Sequence, residues 1–162
     1  MSGISSHDDI KQASKVLQQS YPKIVVSHEV SEAVAQGLIV KVVRNGPKVV
    51  GVVIAERDVH EIYIRRIAVL ESHRMKGYAR GLINELLRLD NVKVVTLSVP
   101  ACEAGAVAFA NRCSFHLFGI DMNNEGAQLW RLSARANVST RNRLSDYFAK
   151  RPTRKGEPGR RC

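Results

Sequence analysis

The chain has 162 residues, 44% of them hydrophobic, and a net charge of +10. That suits one domain with a real core plus a tail. It leaves no stretch near the roughly 18–20 apolar residues of a membrane span, and the opening MSGISSHDDIKQ lacks the basic region and apolar run of a secretory signal.

The first clear element is helical. Ile10, Ala13, Ser14, Leu17 and Tyr21 share one face, while Lys11, Gln12, Lys15 and Gln18 lie elsewhere. The pattern predicts a helix over 8–20, ended by Pro22. A short first strand near Ile4 is allowed but weakly marked. A second helix is expected over 28–36, capped by Ser27, with Val30, Ala33 and Val34 inward and Gly37 as its stop.

The period then changes. LIVKVVR (38–44) and KVVGVVIAE (48–56) are rich in β-branched residues, and Arg44-Asn45-Gly46-Pro47 joins them as a hairpin. A third run, VHEIYIRRIAV, covers 59–69. Ile62 and Ile64 share one face, with Glu61, Tyr63 and Arg65 on the other. After Arg65 the apolar parity passes to Ile67 and Val69, a one-residue slip of the kind a β-bulge produces. Ala79, Leu82, Ile83 and Leu86 predict a helix over 76–89. KVVTLSV (93–99) reads as a strand ended by Pro100, and AGAVAFANR (104–112) as a short helix. FHLFGIDM and AQLWRL, separated by Asn123-Asn124-Glu125-Gly126, read as a closing hairpin. The order is that of an α/β domain with a mixed sheet.

Residues 1–133 are taken as that domain and 134–162 as a basic, flexible tail. The tail holds nine Lys/Arg against Asp146 and Glu157, a net +7, which leaves +3 for the domain. Such a tail attracts polyanions, nucleic acid included, without reading sequence. Cys102, Cys113 and Cys162 show no metal-ligand spacing, so no metal is expected. They are read as reduced thiols of an intracellular protein without a membrane partner.

The segment that carries chemistry is Arg74-Met75-Lys76-Gly77-Tyr78-Ala79-Arg80, between a strand and a helix. The first turn of a helix leaves backbone N–H groups unpaired, and the helix dipole adds to their attraction for an anion. Gly77 lets the backbone approach a ligand, Ala79 keeps the next turn small, and Arg74, Lys76 and Arg80 add positive charge. This is a cradle for a diphosphate. Neither the GxGxxG dinucleotide pattern nor the Walker lysine loop is present.

Ile67-Ala68-Val69, Arg74-Met75-Lys76-Gly77-Tyr78-Ala79 and Leu82-Ile83 together resemble the acetyl-CoA motif of the GNAT N-acetyltransferase family. The element order over 4–132 is similar to that fold as well. The resemblance implies a mixed, mostly antiparallel central sheet with splayed strands, flanked by helices. It implies acetyl-CoA as co-substrate, with main-chain groups of Ile67, Ala68 and Val69 along the pantetheine arm. The amides from Met75 to Arg80 would then hold the diphosphate, with the Arg80 side chain within reach of it.

In that family some members carry a glutamate base on the bulged strand. The spacing back from Arg74 places that position on Tyr63; Glu61 lies two residues earlier on the same face and, as a carboxylate, is the better base. Many members carry a tyrosine acid in a run like A-x-x-x-Y-x-x-x-G-F. Here Ala106 to Phe115 fits that run, but the tyrosine position is Ala110, the glycine is Ser114, and the asparagine often found three residues before the run is Glu103. Cys102 stands just past the preceding strand. Three functions are consistent with this: an acetyltransferase acting on a protein lysine or N-terminus in chromatin or replication, a small-molecule amine acetyltransferase, and a catalytically weak acetyl-CoA-binding scaffold.

One tail segment is more than basic. Arg141 to Phe148 resembles the sliding-clamp-binding PIP box, with Leu144, Tyr147 and Phe148 at its hydrophobic and paired aromatic positions. Arg141 stands where glutamine is usual, and Lys150 and Arg151 supply a basic flank. This implies a clamp partner and a nuclear location; without it the expectation is cytoplasmic. Arg151 to Lys155 would suit nuclear import.

Overall fold

The computed structural model describes residues 2–4 and 6–135. The chain separates into two compact units, Met1–Val95 and Thr96–Cys162.

The first unit opens with β1 (Ser2–Gly3) and α1 (His7–Ser20). Ser6 caps α1 by accepting from the Asp9 N–H at 3.2 Å. The helix buries Ala13, Val16 and Leu17 as its amphipathic pattern requires, but also Asp9. A buried carboxylate is costly without a partner. Asp9 pairs with Arg44, at 2.5 Å, from the end of β2 (Ile39–Asn45). Between them lies α2 (Glu29–Ala35), which buries Val30 and Ala33. Two expectations are corrected here. His28, not Ser27, stands at the N-cap with no side-chain bond, and Val34 is 40% exposed rather than inward.

β2 turns through Gly46-Pro47 into β3 (Lys48–Asp58), with Asn45 opposite Lys48. Gly46 has φ +59, a conformation that glycine adopts without a Cβ penalty. β3 turns in turn through Val59-His60 into β4 (Glu61–Val69). Val59 therefore belongs to a turn and not, as expected, to the strand. The strand order in this unit is β1-β2-β3-β4, all antiparallel. β3 is central and buries every residue from Val49 to Ala55, which explains its unbroken β-branched run. After a 3₁₀ turn at Glu71–His73, α3 (Tyr78–Leu87) buries Leu82, Ile83 and Leu86.

The second unit holds most of β5 (Val94–Pro100), then α4 (Ala104–Arg112), β6 (His116–Met122) and β7 (Gln128–Arg135), with strand order β5-β7-β6. β6 and β7 form the expected hairpin, bulged at Phe118. Phe115, Trp130, Leu132 and Ala110 are buried in this unit. Cys113, half-buried just past the end of α4, is in the thiol form. No helix among the described residues is long and apolar enough to cross a membrane. Leu144, Tyr147 and Phe148, with the rest of the tail beyond Arg135, lie outside the described residues.

Candidate active site

The parity slip in β4 is a β-bulge. Ala55 pairs with Ile64 and Ile54 with Arg66, so Arg65 is the extra residue. Before it, Ile62 and Ile64 are buried while Glu61, Tyr63 and Arg65 share the opposite face; after it, Val69 is buried as the slip requires, whereas Ile67 is only half-buried and Ala68 is buried as well. The two arginines at the bulge are both engaged. Arg65 pairs with Glu56 on β3. Arg66 donates to the Arg65 carbonyl at 3.2 Å and pairs with Glu29 of α2 at 3.0 Å. Its guanidinium lies 5.6 Å from the centroid of the Tyr21 ring. The Tyr21 hydroxyl donates to the Ile67 carbonyl at 3.1 Å. The end of α1 and the start of α2 are thereby tied to the strand beyond its bulge.

From β4 the chain enters the turn that carries the positive residues. Arg74 folds back, its Nε donating to the Val69 carbonyl at 3.3 Å, so it fastens the strand end. Lys76 and Arg80 are exposed at the helix start, and Tyr78 and Ala79 are half-buried. Two residues in this turn have left-handed backbone, Met75 at φ 63 and Gly77 at φ 83. For a residue with a side chain this costs on the order of 1 kcal/mol or more and persists only where the surroundings impose it. Met75 holds it with its side chain 78% exposed, so packing of that side chain does not impose it.

Gly77 is the N-cap of α3, and no side chain caps that helix. Its first turn holds no acidic residue either. The amides of a first turn have no intrahelical partner, and the N-cap residue contributes no side-chain hydrogen bond to them. A Cβ built on Gly77 would find nothing within 4 Å. The start of α3 is therefore positively polarised, with open space beside its N-cap residue. A diphosphate fits it in charge and in room.

Glu61 and Tyr63 differ in placement. Tyr63 lines two cavities. One, of about 340 Å³, lies between α2 and β4 and includes Glu29, Glu32, Gln36, Arg65 and Arg66. The other, of about 530 Å³, lies against the β3–β4 turn and includes Glu56, Asp58 and Glu61. Glu61 reaches only the second. At about 3.3 Å of rise per strand residue, Tyr63 stands roughly 7 Å nearer the bulge than Glu61 does. The sequence pattern alone gave no sign of these cavities, nor of Glu29 and Tyr21 as partners of the bulge.

In the second unit, Ala110 is fully buried and offers no proton donor. Ser114, at the position where the resemblance calls for glycine, has φ 65. The backbone there adopts the left-handed form that glycine takes most easily, and serine tolerates it at a cost. Among the described residues no group of three or more His, Cys, Asp or Glu is placed to hold a metal ion.

Comparison with known proteins gives a consistent picture. Residues 8–115 match the acetyltransferase (GNAT) family. No curated protein matches the chain in sequence. Among solved structures, the ribosomal-protein-S18-alanine N-acetyltransferase from Escherichia coli superposes with a TM-score of 0.70 at 17% identity, covering 87% of this chain and 96% of that one. An aminoglycoside 6'-N-acetyltransferase complexed with coenzyme A gives 0.68 at 15% identity over 83% and 95%. The aminoglycoside 6'-N-acetyltransferase from Enterococcus faecium gives 0.69 at 14% identity over 83% and 95%. At such identities the likeness is one of fold.

Proposed function

Because the chain belongs to the GNAT acetyltransferase family, whose co-substrate is acetyl-CoA, we propose that it transfers the acetyl group to an amine of a protein, a lysine side chain or an N-terminus. The observation that carries this is the uncapped start of α3, with Gly77 at φ 83 and open space before its amides. In this reading the amides of Lys76 to Arg80 hold the diphosphate, and Ala68 and Val69 guide the pantetheine arm. Acetyl-CoA supplies the thioester. The acceptor nitrogen attacks its carbonyl, the C–S bond breaks, and the thiolate of CoA leaves.

The remaining work is proton removal and placement. Tyr63 faces the acceptor through the cavity beside the bulge and orients its amine by a hydrogen bond. Glu61 receives the proton through water in the second cavity, which both residues line. Ala110 provides no acid for the leaving thiolate, so that proton comes from solvent. Positioning alone supplies about 7–11 kcal/mol in favourable cases, which is sufficient for turnover without that acid.

The relatives named for a ribosomal protein and for aminoglycosides span both acceptor classes. The basic tail favours a macromolecular acceptor here. The resemblance of Arg141 to Phe148 to a clamp-binding peptide supports recruitment to replicating DNA. A Tyr147→Ala/Phe148→Ala double variant is expected to lose binding to an immobilised sliding clamp; retained binding removes that reading.

The absence of a side-chain acid at Ala110 also favours a second reading, a scaffold that binds acetyl-CoA but turns over slowly. Both are tested together. Acetyl-CoA at about 100 times its Kd should stabilise the protein by about 2.7 kcal/mol. Mass spectrometry of lysine peptides and protein N-termini should then show transfer. Stabilisation without transfer supports the scaffold, and no stabilisation overturns both.

A further inference from the structure

We propose that the acceptor carries a second positive charge beside the amine that is acetylated, and that Glu32 receives it. This rests on the acetyltransferase reading and names the substrate class for the same site.

The argument is a charge balance around the cavity between α2 and β4. Its charged lining residues are Glu29, Glu32, Arg65 and Arg66. Glu29 is paired with Arg66, and Arg65 with Glu56. Glu32 alone has neither an ion pair nor a side-chain hydrogen bond among the described residues. With Glu56 counted as the partner of Arg65, the charged groups at the cavity sum to −1, and Glu32 holds the charge that no ion pair offsets, although the chain as a whole carries +10.

Glu32, though exposed, stands on the face of α2 that lines the cavity. Glu29, Glu32, Ala33 and Gln36 follow helical spacing and line the same cavity. Tyr63 lines the same cavity from β4, at the position expected to face the acceptor amine. An amine held at Tyr63 and a second cation lying towards α2 would place one charge near the reaction and the other at Glu32. A neutral neighbour leaves Glu32 solvated and gains nothing; an acidic neighbour is repelled. Glu32 also lies in the first turn of α2, where a carboxylate favours the helix dipole. That role affects stability only and predicts no acceptor preference, which is what separates the two explanations.

The shared chemistry, an amine with a nearby cation, belongs to basic peptides and to polyamines. The test uses full-length wild type, Glu32→Gln and Glu32→Lys with acetyl-CoA as donor. The acceptors are two lysine peptides, identical except for Arg or Gln beside the lysine, together with spermidine and the monoamine butylamine. Glu32 is exposed, so the wild-type preference for the doubly charged member of a pair should be about two- to fivefold in kcat/KM. Glu32→Gln should abolish it by raising KM, with kcat changed less than about twofold. Glu32→Lys should invert it, and salt should weaken it in wild type. The melting temperature shift with acetyl-CoA should be the same in all three proteins. A preference confined to the peptide pair identifies a basic peptide, and one confined to spermidine a polyamine; either supports the inference. A preference that survives Glu32→Gln, or none in a wild type that does acetylate these amines, overturns the inference alone. A wild type that acetylates none of the four overturns the acetyltransferase reading, and this inference with it.

Discussion

Gly77→Val should abolish acetyl-CoA binding while leaving the protein folded. Gly77 has φ 83, and an L-residue placed there costs roughly 1–2 kcal/mol, more with a β-branched side chain. Among the described residues, no atom beyond the two chain neighbours stands within 4 Å of the new Cβ, so the fold around it meets no clash. What the side chain fills is the space before the first amides of α3, where the diphosphate is proposed to sit. A Kd raised about 100-fold would cut the stabilisation by a fixed acetyl-CoA concentration from about 2.7 to about 0.4 kcal/mol. For a domain of this size that is a fall from several degrees to about one. Gly77→Ala should lie between. Calorimetric titration separates the loss of affinity from the modest loss of intrinsic stability. Wild-type affinity in Gly77→Val would mean that the phosphates bind elsewhere.

Gly51→Ala should destabilise the protein and weaken acetyl-CoA binding together, for a different physical reason. Its φ is not left-handed; what matters is close approach. Gly51 lies in β3 opposite Val69 of β4 and beside Val43 of β2. An added Cβ would stand 2.7 Å from Val43 Cγ1, and 3.2 Å from both the Ala68 carbonyl oxygen and Val69 Cγ2. Val43 is buried and its β-branched side chain has little freedom to turn away. The strand end must therefore shift, at about 1–3 kcal/mol. The atoms displaced are those of Ala68 and Val69, and the Val69 carbonyl is the one that holds Arg74. Thermal unfolding should show a loss of several degrees. A core variant of equal cost away from this strand end, such as Val16→Ala in α1, should retain full acetyl-CoA stabilisation. If Gly51→Ala loses stability but not affinity, β4 does not position the pantetheine arm.

The role of Gly51 bears on what a sequence reveals. A glycine inside the run Lys48-Val-Val-Gly-Val-Val-Ile is visible as an interruption. Its reason is not visible, because Val43, Ala68 and Val69 belong to two other strands. The bulge was legible for the opposite reason. Parity along a strand is local, so the passage of the apolar positions from Ile62 and Ile64 to Ile67 and Val69 marks the slip at Arg65 directly in the chain. The start of α3 was legible in kind, since Gly77 and the positive residues lie next to each other. Arg74, however, reaches back to Val69 instead of standing over the helix start.

The sequence by itself determined the order of the elements, the hairpins, the bulge and the position of the helix start. Each depends on residues a few positions apart, where side-chain period and turn chemistry act without knowledge of the rest of the fold. Only the tertiary structure decided which long-range pairs form. Tyr21 and Ile67 are 46 residues apart, Arg66 and Glu29 are 37 apart, and Arg44 and Asp9 are 35 apart. No periodicity relates such residues. They meet because the sheet and its helices bury a common apolar face, and polar groups caught near that face must find partners there. The same folding leaves Glu32 without an ion-pair partner among the described residues, a property that no reading along the chain can supply.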